Sequence, residues 1–443
     1  MHGAASMKNL LMAVAVVALA GCGGASPGGT DAGDGGRDDA GPTDAGPTDG
    51  GPGDAGPTDG GPSDAGPKDA GPTPAVALSV NAVSVLFPLP SSPSSPGLLH
   101  FDEPGKGGPL LSSALFADIP VFNDNPLPER AYGEWRVVAA RLDPCFPTHA
   151  FLQSDPSKCR RQLRLVAQPH PEGMNGGGSD DNSIHLLYDL TQAQFDDLAA
   201  RWVAPLKDQA GARAETLQVS PRMKSEGLQG TYANGIRALI KEFAGPDTLR
   251  QVTFMEGRGV AWEFGGFMVS SGTHTSIQIP GLDGGVKEVT TANSNAPFSI
   301  TPHSKVAFEL DPLAGRFVTD GGIGSGSLVF DATPSQMQAA LQRSLDVDNP
   351  LTDLHPDSLD CSVCHVANRA RARAVRMGQS VQGLSRYENA RRPTSVTNAS
   401  AFGEETMEQR AFGYHFGGPV VNQRVANESA EVADLLERKL SPP

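Results

Sequence analysis

Between Asp39 and Thr73 the chain repeats in fives: DAGPT, DAGPT, DGGPG, DAGPT, DGGPS, DAGPK and DAGPT. Apart from proline, no apolar side chain in the repeat is larger than alanine. Such a segment buries too little surface to offset the entropy of ordering it. Proline favours extended backbone, and aspartates of like charge keep the chain swollen. The repeat therefore reads as a disordered spacer, reaching about 100 Å at full extension with about 3.1 Å per residue. One carboxylate every five residues does not converge on a cation from a turn, which leaves calcium binding a remote alternative. Residues 31–73 carry ten aspartates against Arg37 and Lys68. Eight of the fifteen net negative charges thus belong to the spacer, and the acidity of the whole chain says little about its folded surface. Whatever folds must be built from about residue 75 onward.

In front of the spacer stands MKNLLMAVAVVALAGC, residues 7–22. Lys8 supplies a positive end, and residues 10–20 are an apolar run too short to span a bilayer comfortably. Leu19-Ala20-Gly21-Cys22 resembles the lipobox of bacterial lipoproteins. The resemblance implies a signal peptide over residues 1–21, cleavage before Cys22, and lipidation of that cysteine. It further implies an exported protein held on a membrane through its N-terminal lipid. Gly23, where an aspartate would signal retention, points to the outer membrane. Residues 22–74 are then a lipid-anchored linker. An ordinary secretory signal with an incidental cysteine is the alternative.

From residue 75 to 332 short β-like runs alternate with turn residues, which predicts an α+β protein with a β-rich, sandwich-like central domain. Strands are expected at 76–89, 135–143, 162–169, 184–190, 250–257, 260–271, 275–280, 298–302, 305–311 and 327–331. Thr191 with Gln194 has the capping-box pattern and opens a helix with Phe195, Leu198, Ala199 and Trp202 on one face. Residues 232–245 repeat Ile236, Leu239, Ile240 and Phe243 at helical spacing, and Gly245-Pro246 ends the run. A third helix starts at Thr333-Pro334 with Met337, Leu341 and Leu345 on one side. Residues 333–443 read as a smaller, mainly helical segment, closed by an amphipathic helix over 425–440 with Val425, Val432, Leu436 and Leu440 on one face.

The middle of the chain holds no G-x-S-x-G elbow, no H-E-x-x-H and no phosphate-cradling glycine loop followed by lysine. Glu134-Trp135 and Trp262-Glu263 sit at strand positions where a carboxylate beside an indole can line a ligand site, although a rim residue over a core tryptophan is the commoner case. Five cysteines are present. Cys145 and Cys159 flank a thirteen-residue loop between two expected strands, and an exported protein pairs such cysteines as a disulfide. A redox-active pair would need closer spacing.

Cys361-Ser362-Val363-Cys364-His365 is a C-x-x-C-H. It resembles the haem-attachment motif of c-type cytochromes. Two thiols spaced by two residues suit the two vinyl groups of one porphyrin, and the following imidazole suits the iron as an axial ligand. The resemblance implies one covalent haem c on Cys361 and Cys364, with His365 on the iron. It covers the motif and, loosely, the last hundred residues, a cytochrome c-like segment. The methionine-bearing, proline-rich loop of small cytochromes c is missing. Met407 is the first candidate for the distal ligand, His415 the second and Met377 the third; His355 lies just upstream. A thioredoxin-like pair would need a βαβ setting, and a zinc site would need Cys145 and Cys159 to forgo their bridge. A plain Cys361–Cys364 disulfide is the remaining alternative.

Arg369, Arg373 and Arg376 share a face if the chain leaves the motif as a helix, where they suit haem propionates or an acidic partner, or form a solvated face. The expected function is one-electron transfer to a redox partner protein, rather than enzymatic turnover. The alternative is a non-redox surface lipoprotein whose β-rich domain binds a ligand. An exported location makes nucleic acid an improbable partner.

Overall fold

Leu163, Leu165 and Ala167 alternate with Gln162, Arg164 and Gln168, the pattern of a strand that sends successive side chains to opposite faces. The computed structural model extends this stretch as one strand, Arg161–Pro169. It describes residues 77–92, 94–123, 127–144, 160–170, 182–206, 215–258, 261–270, 272–277, 287–290, 308–311, 316–319, 338, 341–342, 345, 348–351, 378–380, 382–384, 387–396, 412–415 and 417–441. The expected strands at 298–302 and 327–331, Met337, and the spacer and leader lie outside these residues.

One eight-stranded sheet organises the fold. Its strands are β1 (Ser84–Leu86), β2 (Trp135–Asp143), β3 (Arg161–Pro169), β4 (Asn182–Leu190), β5 (Leu249–Arg258), β6 (Ala261–Ser270), β7 (Thr273–Ser276) and β8 (Lys287–Thr290). Every pairing is antiparallel and the spatial order from β1 to β7 is the chain order, with β8 on the same edge of β6 as β7. Consecutive strands tend to be neighbours in space, and here they are, even where long stretches of chain separate β1 from β2 and β4 from β5. The fold is thus α+β, a large antiparallel sheet with a few helices. Residues 308–311, expected within a strand at 305–311, pair instead with residues 316–319 as a separate hairpin. The expected strand at 76–89 is shorter: one helical turn, α1 (Val80–Val83), precedes β1. Ser79 causes this, because its side chain accepts from the Asn81 amide and starts a turn where loose alternation suggested extended chain.

Cross-strand partners share a face, so register sorts the side chains. Leu142, Leu163 and Tyr188 form one row, Ala140, Leu165, Leu186, Val252 and Phe267 the next, and Val137, Ala167, Ile184 and Phe254 a third. All are buried in the main core. Helices α2 (Gln192–Val203) and α3 (Thr231–Phe243) bring Phe195, Leu198, Trp202, Ile236 and Ile240 into the same core. The Thr191 capping box forms as expected, and Trp202 donates from Nε1 to the Ala82 carbonyl at 2.9 Å, tying α2 to α1. Trp135 is fully buried, stacks on Phe101 with centroids 5.8 Å apart, and donates to the Arg130 carbonyl. Glu134 is therefore a rim residue over a core tryptophan.

The opposite face carries Asp143, Gln162 and Asp189 in one row, Arg141, Arg164, Leu187 and Gln251 in the next, and Val166, His185 and Thr253 in a third. Polar as it is, Gln162, Gln168, His185, Gln251 and Thr253 are all buried. Part of the cover is the C-terminal hairpin of β9 (Phe412–His415) and β10 (Gly418–Val421). Gln168 accepts from the Tyr414 amide at 2.7 Å and donates to its carbonyl at 2.9 Å, imitating a strand partner across the sheet. The hairpin and the last helix, α4 (Gln423–Leu440), share the core of the sheet through Phe412, Tyr414, Val425, Val432 and Leu436.

Close backbone approach decides one glycine. A Cβ on Gly245 would lie 2.2 Å from the Lys106 carbonyl oxygen, in a contact fixed by the Lys106 amide donating to Ala244 at 2.7 Å. Gly235, exposed in α3, has nothing within 4 Å of that position. Gly245→Ala is expected to destabilise by about 2–3 kcal/mol, since backbone cannot yield as a side-chain tip does. Gly235→Ala is expected to stabilise by about 0.5–1 kcal/mol through helix propensity. Urea unfolding of both variants checks the pair, and equal effects would show that the close approach at Lys106 is not tight.

Candidate functional site

Cys361, Cys364 and His365 lie outside the described residues, as do Met377, Met407, His355, Cys22, Cys145 and Cys159. The chain on both sides of residues 352–377 is described, and helix α4 meets it twice. Its N-cap, Asn422, accepts from the Val425 amide at 2.9 Å and starts the helix one residue after the hairpin ends. Three polar positions of α4 are buried in the protein, while Arg438 and Lys439 near its end are exposed. Arg424, Asn427 and Glu437 are each less than 9% exposed.

Ahead of the motif, residues 338, 341, 342 and 345 are helical, and Leu341 and Leu345 are buried, as the expected third helix requires. Asn427 Nδ2 donates to the Asp348 carbonyl at 2.8 Å, and Arg424 donates to the carbonyls of Asn349 and Pro350. Asn349 turns the chain locally by accepting from the Leu351 amide at 2.9 Å. Behind the motif, Gln338 donates to the Ser380 carbonyl at 3.2 Å. Tyr387 then donates to Glu431, and Asn389 donates to Glu431 at 2.9 Å and Asp434 at 3.2 Å. Arg391 pairs with Asp434 at 2.6 Å and Glu437 at 2.5 Å. Arg392, with φ of +47°, sits in the left-handed region just after these bonds. That conformation costs about 1 kcal/mol and persists only where neighbours impose it.

The same helix is tied to the sheet. Glu428 pairs with Arg141 and, at 2.7 Å, with Arg424. Asp143 bridges Arg141 at 2.5 Å and Arg164 at 2.6 Å. Burial pushes the Glu428 carboxyl up, but Arg141, Arg424 and Arg164 outweigh it and hold it down at about 2. Burial, then the Asp434 carboxylate, raises Glu431 against the pull of Arg438. Arg391 stays firmly protonated: burial acts against its charge, and Glu437 and Asp434 overcome it.

His415 is the one distal-ligand candidate among the described residues. It is half-buried at the end of β9, paired across the hairpin with Gly418, and Gly417 makes the turn with φ of +85°. Among the described residues no group of three or more His, Cys, Asp and Glu side chains is placed to hold a metal ion. No described helix is long and apolar enough to cross a membrane. Sequence reasoning missed the α4 contacts, because their partners are distant in the chain, 42 residues for Asn389, 79 for Asp348 and 287 for Arg141. A signal was present in Arg424, Asn427, Glu431 and Asp434, polar residues at helical spacing, but nothing local says that such a stripe is buried. No family model, curated protein or solved structure matches the chain.

Proposed function

We propose that this chain is an exported, lipid-anchored c-type cytochrome-like protein that transfers single electrons. The observation carrying this reading is C-x-x-C-H at residues 361–365 behind a lipobox ending in Cys22. The donor set fits one haem c: Cys361 and Cys364 as thioether anchors and His365 as an axial ligand, with Met407, His415 and Met377 in that order for the other side. When bound, the haem supplies the one-electron chemistry. The protein's own part is to hold the group and fix its ligands. An oxidising, exported compartment suits covalent attachment, as it suits a Cys145–Cys159 bridge. The sandwich-like enclosure expected of the β-rich domain is, on this reading, completed by the haem-bearing segment rather than by a second sheet. The lipid at Cys22 would hold the head at the outer membrane, with a protein as redox partner.

One observation favours a second reading, a non-redox surface lipoprotein whose head binds a polar ligand. On the buried polar face of the sheet, the side-chain oxygens of Gln162 and Gln251 have no hydrogen-bond partner. An unpaired buried acceptor costs about 1–3 kcal/mol, and a ligand donor would remove that cost. Expression in a host with haem-ligation machinery, followed by intact mass and an alkaline pyridine haemochrome spectrum, separates the two. The first reading expects one haem mass on the peptide around Cys361. A mass lower by two hydrogens there, with no haemochrome band, would replace it with the second.

A further inference from the structure

We propose that Glu431 and Asp434 form a proton-binding carboxylate pair, and that the contact between α4 and residues 387–391 tightens as the medium turns acidic. This device lies beyond the electron-transfer reading and does not depend on it. Residues three apart on a helix share a face, and one amide spans this pair. Asn389 Nδ2 donates to Glu431 Oε1 at 2.9 Å and to Asp434 Oδ2 at 3.2 Å. Two carboxylate oxygens that share a nitrogen in this way lie at most about 6 Å apart, a range at which like charges disfavour each other's ionised form. Both side chains are half-buried, which reduces the screening that water would supply.

The neighbouring charges do not treat the two carboxylates alike. Arg391 pairs with Asp434 at 2.6 Å and with Glu437 at 2.5 Å, and its remaining nitrogen donates to the Leu78 carbonyl. Among the described residues, Glu431 accepts only from neutral donors, the Tyr387 hydroxyl and the Asn389 amide. Arg438 acts on it from the exposed end of the helix, and Lys439 pairs with Asp196. Glu428, one turn earlier, faces Arg141, Arg164 and Arg424 instead. Two other elements packed on α4 add no counter-charge: α1 is Val-Asn-Ala-Val, and the short strand at 394–395 is Thr-Ser. Glu388 and Arg392, beside the docked side chains, are exposed. Burial, then the Asp434 carboxylate, accordingly raises Glu431 above its ordinary value of 4.5 against the pull of Arg438. A proton on Glu431 removes one of two like charges and places a donor beside Asp434. The second Glu431 oxygen still accepts from Asn389, and the Tyr387 hydroxyl can turn to accept. The folded chain binds this proton more readily than the unfolded one. Its contribution is therefore fully present below about pH 4.5 and is lost as pH rises through the folded value. Glu428, held at about 2, changes stability only below about pH 4.5, so the two effects fall in separate pH ranges.

Glu431→Gln in the full-length protein tests this, because glutamine keeps the shape and an acceptor while losing the charge. Its urea midpoint is expected to exceed that of the wild type by about 0.2 M or more at pH 7, and the two midpoints should coincide at pH 4. The Arg391 and Arg392 amides both donate to Asn389. Their hydrogen-exchange protection factors should rise from pH 7 to pH 4 in the wild type and stay level relative to β3 and β4 in the variant. Carboxyl carbon shifts should place the Glu431 midpoint above 4.5 in the wild type and lower in Asp434→Asn. The wild-type titration alone decides the matter if either variant fails to fold. A Glu431 midpoint at or below 4.5 overturns the proposal, as does a variant no more stable than the wild type at pH 7 or a stability gap of equal size at pH 7 and pH 4.

Discussion

The double variant Cys361→Ser, Cys364→Ser is expected to carry no covalently bound haem, a complete loss rather than a graded one. A serine hydroxyl does not replace a thiol in the thioether bond to a porphyrin vinyl group, so neither anchor can form. Each single variant keeps one anchor and should retain haem at reduced yield. His365→Ala keeps both anchors but removes the axial nitrogen, so the haem mass should remain while the iron spectrum changes to that of a weaker ligand field. Intact mass and the pyridine haemochrome measure attachment, and the visible spectrum reports the ligand. Haem retained by the double variant, or its absence from the wild type, would remove the functional proposal. These variants should leave urea stability of the sheet nearly unchanged. The bonds from α4 to Asp348, Asn349 and Arg391 are made by residues outside 361–365.

The second large effect is acid-dependent. Glu428→Gln leaves Arg141, Arg164 and Arg424 facing the single carboxylate of Asp143, and is expected to cost about 3 kcal/mol at neutral pH, the lower end for breaking a buried pair. The neighbouring arginines hold the carboxyl at about 2 in the fold, against an ordinary value of 4.5. Its folded value is depressed, so the unfolded chain binds the proton first as pH falls. The stabilisation is therefore fully present above about pH 4.5 and drains away between there and about pH 2. Urea unfolding at pH 7, 4 and 3 should show the gap between wild type and variant narrowing as pH falls. A gap that is constant across this range would mean that Glu428 acts by shape and not by charge.

How far the sequence alone reaches depends on the distance over which each feature is decided. The strands at 135–143, 162–169 and 184–190 are legible because alternation is a local property, and α2 and α3 because their apolar spacing and caps are local too. Alternation of Leu163 and Leu165 with Gln162 and Arg164 correctly separates two faces. What covers the polar face is not a local matter: in the fold it is covered by chain that includes the hairpin 246 residues later at Tyr414. The turn at Val80 escaped because one Ser79 hydroxyl decides it. The C-x-x-C-H motif is legible because it is written in consecutive residues. The helix that grips its flanks is not, since Arg424 and Asp434 look like any charged positions until their partners at Asn349 and Arg391 come into place.

Leu78 stands just beyond the repetitive spacer, and both of its backbone polar groups are taken. Its amide donates to Glu437 at 2.5 Å, and its carbonyl accepts from Arg391. Next to it, Ser79 and the Val80 amide both reach Glu215, at 2.6 and 3.0 Å. If Cys22 carries the proposed lipid, every pull between membrane and head arrives at this point. The first bonds to bear that tension are side-chain bonds to three separate stretches of chain, in parallel, ahead of any rung of the sheet. Load is shared at the root of the leash, and β1 is spared from being peeled off its neighbour one hydrogen bond at a time.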